Sequence, residues 1–307
     1  MIQTTPICIF VYKRADTFRR LIESLVKNPE CERTPLYIFS DAARCEADRS
    51  AVRQVREFAH TITGFLSVEI IERSINMGLA SSIISGVSHV FSMYERVIVL
   101  EDDLIVSSNF IAYMHQCLEK YENNLKVCSV SGYSSQRIAD LESDQDIYFG
   151  RRSSSWGWGI WKDRWESVDW EVRDISILKN RKNRRKFRRG GADLLRMLRR
   201  QQQGKIDSWA IRFSFYQYIT DSFDIVPKVS KVINCGFTKS ATNTAGMETR
   251  FSTTLDLTNK RIFDLPNDPF EDKDFMIAFR VPFRTTERLK FKFLSLCHRI
   301  FGKRRSS

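Results

Sequence analysis

Four short runs of aliphatic, β-branched and aromatic residues constrain the fold of this chain more than any other feature: residues 6–12 (PICIFVY), 35–40 (PLYIFS), 68–72 (VEIIE) and 96–100 (RVIVL). Between them the apolar residues change to helical spacing. Phe18, Leu21, Ile22 and Leu25 share one helix face, as do Val52, Val55 and Phe58, and later Ile83, Ile84, Val87 and Val90. Runs this continuously apolar fit a parallel sheet covered on both faces. The order βαβαβαβ therefore predicts an open, doubly wound α/β sheet. With 307 residues and 42% hydrophobic content, the chain buries a full core as one large domain or two intimate ones.

Ligands bind such sheets beyond the carboxyl ends of the strands, so the residues just after each run carry the chemistry. They are Tyr12, Lys13 and Arg14; Ser40 and Asp41; Arg73 to Asn76 with Gly78; and Glu101, Asp102 and Asp103. Neither G-x-G-x-x-G nor G-x-x-x-x-G-K-[ST] occurs, which excludes the dinucleotide fingerprint and the P-loop. Three adjacent carboxylates repel one another, and burial adds a desolvation cost, unless a cation neutralises them. Mg²⁺ and Mn²⁺ suit the task, since they take one or two protein carboxylates together with substrate phosphates. The competing reading is that these acids cap the next helix. Their position at the end of a fourth parallel strand favours the metal and a phosphorylated ligand.

The second half loses this regularity. It holds an aromatic, glycine-containing stretch at 153–165 (SSSWGWGIWKDRW), then twelve basic residues and one acid between Lys179 and Lys205, then a helical pattern after Asp207. The basic run reads as an exposed, mobile insertion. A formal net charge of +12 favours polyanionic partners, but no RNA-binding, helix-turn-helix or zinc-finger signature accompanies the run, which argues against specific nucleic-acid binding. Seven cysteines are scattered singly, which fits a reducing cytoplasm better than a disulfide framework. The N-terminus has no basic leader or small-residue cleavage site, and no run approaches the roughly 20 apolar residues of a membrane span. A soluble or peripheral protein is expected.

Six segments in order resemble GT-A glycosyltransferases: VYKR at 11–14, FSDAAR at 39–44, ERSINMGLASS at 72–82, VIVLEDDLIVSSNFIAYM at 97–114, SSWGWGIW at 154–161 and PKVSKVINCGF at 227–237. Together they cover about residues 5–245. Within that group the sequence is similar to family 2-like bacterial enzymes and to the Golgi α-mannoside β-N-acetylglucosaminyltransferase group. The resemblance implies a Rossmann-like nucleotide-sugar half (1–133), an acceptor half (134–245), a C-terminal extension (246–283) and a helical, basic tail (284–307). It implies an inverting, metal-dependent transfer from a nucleotide sugar, a UDP-sugar, to a hydroxyl of a glycan or lipid-linked glycan.

Carried onto this sequence, the family pattern implies that Asp103 coordinates Mn²⁺ or Mg²⁺ and that Glu101 and Asp102 lie beside the donor ribose and sugar. Asp41 hydrogen-bonds the nucleobase, and Arg14 meets the donor phosphates. Tyr12, Arg73, Asn76 and Trp158 complete the donor site, and Asp207 is the catalytic base. Relatives often carry an acid beside or just after the tryptophan, where Ser208 and Ala210 stand here. Local alternatives remain: Arg14 pairing with Asp16, Asp41 or Asp207 as helix caps, and core packing for at least one of Trp156, Trp158 and Trp161. Functional alternatives are a nucleotidyltransferase and a non-catalytic nucleotide-sugar-binding relative.

In the tail, Leu289, Phe293, Leu296, Cys297 and Ile300 form one helical stripe, with Arg288, Lys290, Lys292 and Arg299 elsewhere. This is the pattern of a peripheral anchor on the anionic inner face of the cell membrane. A stripe docked on the catalytic domain would read the same way.

Overall fold

The computed structural model describes residues 4–236, 250–287, 289–291 and 293. The first half runs β1 (Ile7–Val11), α1 (Ala15–Leu25), β2 (Pro35–Ser40), α2 (Arg49–Ala59), β3 (Ser67–Glu72), α3 (Leu79–Val90) and β4 (Arg96–Glu101). The short strand β5 (Leu104–Val106), α4 (Phe110–Lys120), β6 (Val127–Ser131), α5 (Gln136–Ala139), β7 (Ile147–Gly150), β8 (Trp158–Trp161) and α6 (Lys162–Glu166) follow. The remainder contains α7 (Arg181–Phe187), α8 (Leu194–Gln202), α9 (Trp209–Ile219), β9 (Phe223–Pro227), β10 (Val232–Asn234) and α10 (Lys273–Arg280).

Eight strands form one sheet in the order β3-β2-β1-β4-β8-β6-β9-β7, and β5 pairs with β10 in a separate two-stranded ribbon. Strands β1 to β4 are parallel, as the apolar runs predict. Strand β8 is antiparallel to both β4 and β6, so β4 and β6 end at the same edge of the sheet while β8 begins there. The pleat sorts the core into two layers. On one face Ile7, Ile9 and Val11 pack with Phe18 and Leu21 of α1, Val55 of α2 and much of α4. On the other, Cys8 and Phe10 pack with Ile83 and Val87 of α3 and with Trp209 and Phe213 of α9.

Three expectations change. Strand β3 is less covered than the inner strands: it is the sheet edge, every residue of Ser67–Glu72 is at least partly accessible, Glu69 is exposed, and Glu72 pairs with Arg56 of α2 (3.1 Å) and with His60 just after it (3.0 Å). An edge strand keeps charge where an inner strand cannot. Strand β4 is followed by β5 rather than by a helix, and α4 is preceded by Asn109, so the acid triplet caps no helix. The basic run is no loose insertion. Leu178, Phe187, Leu194, Leu195 and Leu198 converge with Ile211 and Phe215 in a core of their own, and the charges lie around it. Counting charges missed this because a sparse apolar residue every three or four positions is enough to make a helix face.

The C-terminal extension packs on the rest of the fold. Asp256 pairs with the buried Lys231 and accepts from Asn109 Nδ2 at 3.0 Å, and Tyr121 donates to the Pro266 carbonyl at 2.5 Å. Helix α10 lays Phe275 on Tyr148 of β7, with ring centroids 4.8 Å apart. No helix among the described residues is long and apolar enough to cross a membrane. The described start of the tail leaves Leu289 and Phe293 exposed, while Arg288, Lys292, Leu296, Cys297, Arg299 and Ile300 lie outside the described residues.

Candidate active site

The carboxyl ends of β1, β2 and β4 bring Arg14, Asp41, Asp102 and Asp103 to one edge of the sheet. Arg14, just past β1, bridges two acids: one guanidinium nitrogen meets Asp102 Oδ1, and the other lies 3.0 Å from Asp103 Oδ2. The cation that the triplet demanded is therefore supplied in part by the chain itself, and Arg14 is not paired with Asp16. Burial works against the charge of Arg14, but Asp102 and Asp103 outweigh it and hold the guanidinium above its ordinary value. Asp102 is pushed up to about 6 by burial despite Arg14, and Glu101 to about 8 by burial and by its two acidic neighbours.

Asp103 is the exception in how its oxygens are used. Its Oδ2 faces Arg14, whereas Oδ1 is buried with no hydrogen-bond partner. A buried carboxylate oxygen left bare is costly unless a ligand completes it. Gly236 keeps the space open, because a Cβ there would sit 2.6 Å from Asp103 Oδ2. Among the described residues no group of three or more metal-ligating side chains gathers. The bare Asp103 Oδ1 fits a Mg²⁺ or Mn²⁺ that would be completed by phosphate oxygens and water.

Asp41 clamps two loops. Its Oδ1 accepts from the backbone N–H groups of Ala42 (3.0 Å) and Met77 (2.9 Å), and its Oδ2 accepts from Gly78 (3.0 Å), just before α3. A carboxylate has about four acceptor positions, so one remains on Oδ2 for a further N–H. Asn76 Nδ2 ties the same loops by donating to the Ala42 carbonyl at 2.7 Å. Tyr12 donates its backbone N–H to Asp102 at 3.3 Å and its hydroxyl to Asp48 at 2.7 Å, fixing the β1 end to the loop before α2. Arg73 lies over the Phe39 ring at 5.5 Å and donates to Ser85, leaving its buried Nε without a partner. Six of the expected donor-site residues thus gather around β1, β2 and β4, with Arg73 close by at the β3 end.

Residues 7–201, well over half of the chain, match the family described as Glycosyl transferase family 2. The chain belongs to glycosyl transferase family 2. It is a glycosyltransferase with a GT-A fold that draws on a nucleotide-sugar donor, and the strand ends described above lie inside the matched region. The match does not extend to the narrower Golgi mannoside group, and no curated protein matches the chain.

Two expected residues of this family 2 glycosyltransferase stand elsewhere. Trp158 is buried, stacked between Trp209 (4.6 Å between centroids) and Trp165 (5.7 Å), so it is a core residue and not part of a donor surface. An indole suits a sugar face and a protein core equally well, and only the packing decides. Asp207 is 56% exposed and paired with Arg212, while Ser208, not Asp207, caps α9 by accepting from the Ile211 N–H.

A cavity of about 210 Å³ opens beside this helix start, lined by Ala210, Ile211 and Ser214 of α9, by Ser131 at the end of β6, and by the loop before β8. Asp224 of β9 lies at its floor, fully buried, accepting from Ser129 and Ser131 hydroxyls at 2.6 Å each. Burial pushes Asp224 up to about 8. An acid inside the apolar run FDIVP was the sequence signal for it.

Proposed function

We propose that this glycosyltransferase moves a sugar, with inversion, from a nucleoside-diphosphate donor, a UDP-sugar, to a hydroxyl of a glycan or lipid-linked glycan on the cytoplasmic side of the membrane. The single observation that supports it is the bare, buried Oδ1 of Asp103 at the carboxyl end of β4, beside Arg14 and the one open acceptor position of Asp41.

In this reading Asp41 accepts a base N–H, Arg14 holds donor phosphate oxygens, and Asp103 holds Mn²⁺ or Mg²⁺. The ion, when bound, stabilises the negative charge that grows on the leaving nucleoside diphosphate. Arg14 then exchanges its carboxylate partners for phosphate, a trade between acceptors of the same kind. Asp207 takes the proton of the acceptor hydroxyl as that oxygen bonds to the anomeric carbon and the bond to the nucleotide breaks. Because Asp207 is paired with Arg212 and does not line the cavity, the base role requires Arg212 to release it. The same exposure favours a second reading, a nucleotide-sugar-binding relative without transfer.

Titration of UDP and then GDP with and without Mn²⁺, in the wild type and in Asp103→Ala, tests the donor site. Metal-dependent binding of one nucleotide, lost in the variant, is expected. No binding under any condition overturns the reading. Donor hydrolysis or transfer by the protein discards the second one.

A further inference from the structure

The cavity beside α9 is built for hydroxyls on its inner side. Ser135 lines it with a buried hydroxyl that has no hydrogen-bond partner, and Ser154 is held there by its N–H, which donates to Ser131 Oγ at 3.0 Å. Its wall is aromatic. Trp156 meets Tyr133 edge-on at 4.6 Å and Phe251 at 5.9 Å, which presents ring faces and edges to whatever enters. Serine donors and acceptors opposite an aromatic wall suit a sugar ring, whose hydroxyls point outward and whose C–H face is apolar.

The rim is not neutral. Arg152 lies 4.2 Å over the Phe283 ring and pairs with Asp193 at 2.9 Å. Arg250 does not itself line the cavity; it lies 4.6 Å over the ring of Phe251, which does, and Phe251 and Phe283 are in contact at 5.8 Å. Two guanidiniums therefore stand on adjoining rings, and only that of Arg152 is paired with a carboxylate among the described residues. Arg250 has no ion-pair or hydrogen-bond partner among the described residues. Burial first, and then the charge of Arg152, hold Arg250 below its ordinary value despite Asp193. A half-buried guanidinium without a partner is a site for an anion.

We propose that this cavity takes an acceptor sugar bearing an anionic group, a phosphate or a carboxylate, which Arg250 and Arg152 hold at the rim while the serines hold the ring. The inference deepens the acceptor side of the proposed function and rests on it.

Isothermal titration of glucose 6-phosphate, glucuronate, glucose and inorganic phosphate, with no nucleotide present, tests it. At least one of the two anionic sugars should bind about tenfold or more tighter than glucose, and the preference should vanish in Arg250→Gln. Whichever anionic sugar binds tighter separates phosphate from carboxylate. Arg250→Gln is the variant of choice because it breaks no ion pair among the described residues, whereas Arg152→Gln strands Asp193. Equal binding of glucose, no binding of any sugar, inorganic phosphate binding as tightly as the anionic sugars, or a preference that survives Arg250→Gln each overturns the proposal. A protein that fails here yet binds UDP or GDP retains its donor reading, and one that passes here but binds no nucleotide loses only that reading.

Discussion

The strand-end cluster and the cavity beside α9 sit on the same edge of one sheet yet are made differently. At the cluster, Arg14 crosses from the end of β1 to Asp102 and Asp103 at the end of the neighbouring β4, so it is assembled from positions next to strand ends. The cavity draws on the end of β6, the loop before β8, the start of α9, β9 and two stretches of the C-terminal extension. The parallel part of the sheet concentrates charge because every strand there ends on the same side. The antiparallel β8 interrupts that pattern and brings a loop of serines and Trp156 to the edge instead. Topology, more than composition, decides that one site gathers charged side chains and the other hydroxyls and aromatic rings.

Several variants break or sharpen this contrast. Asp103→Ala has the largest expected effect: on the order of 10³-fold loss of kcat/KM and loss of metal-dependent nucleotide binding, with glucose 6-phosphate binding unchanged. A simultaneous loss of sugar binding would mean that the two sites are one. The paired tryptophans come next. Trp158→Ala, which empties the stack between Trp165 and Trp209, is expected to cost about 3–5 kcal/mol by denaturant unfolding. Trp156→Ala should cost much less and weaken sugar binding instead. Equal destabilisation would show that Trp156 also belongs to the core.

Asp207→Asn is expected to lower kcat on the order of 10²-fold while nucleotide binding stays intact, and a variant as active as the wild type removes Asp207 as the base. A pH dependence closes the series: the folded value of Asp224, about 8, lies above its ordinary 3.8. Between those values the folded state holds a proton that the unfolded chain has released, so stability falls as pH rises through the window. Urea midpoints at pH 5 and pH 8 should differ less in Asp224→Asn than in the wild type. An unchanged difference would place the titration elsewhere, with Glu101 the next group to replace.

Much of this was legible without a structure where the signal is local. The four apolar runs, the helix faces between them and the acids after the fourth run are short-range patterns, and a parallel sheet converts strand ends into one site by topology alone. The placing of Asp41, Asn76 and Tyr12 near that site follows from the same rule. That Asp41 spends three of its acceptor positions on loop N–H groups does not, because its partners Met77 and Gly78 lie more than thirty residues away.

What the sequence by itself determined is therefore the parallel α/β half and the gathering of charged residues at its strand ends, since both follow from residue spacing and chain direction. Only the tertiary structure decided that Arg14 neutralises the acids, that Trp158 is core while Trp156 faces a cavity, that the basic run encloses a core of its own, and that Arg250 stands over Phe251 beside Arg152. Charge compensation and burial depend on which distant side chains arrive at the same place, and that is fixed by packing across the whole sheet, not by any stretch of neighbours.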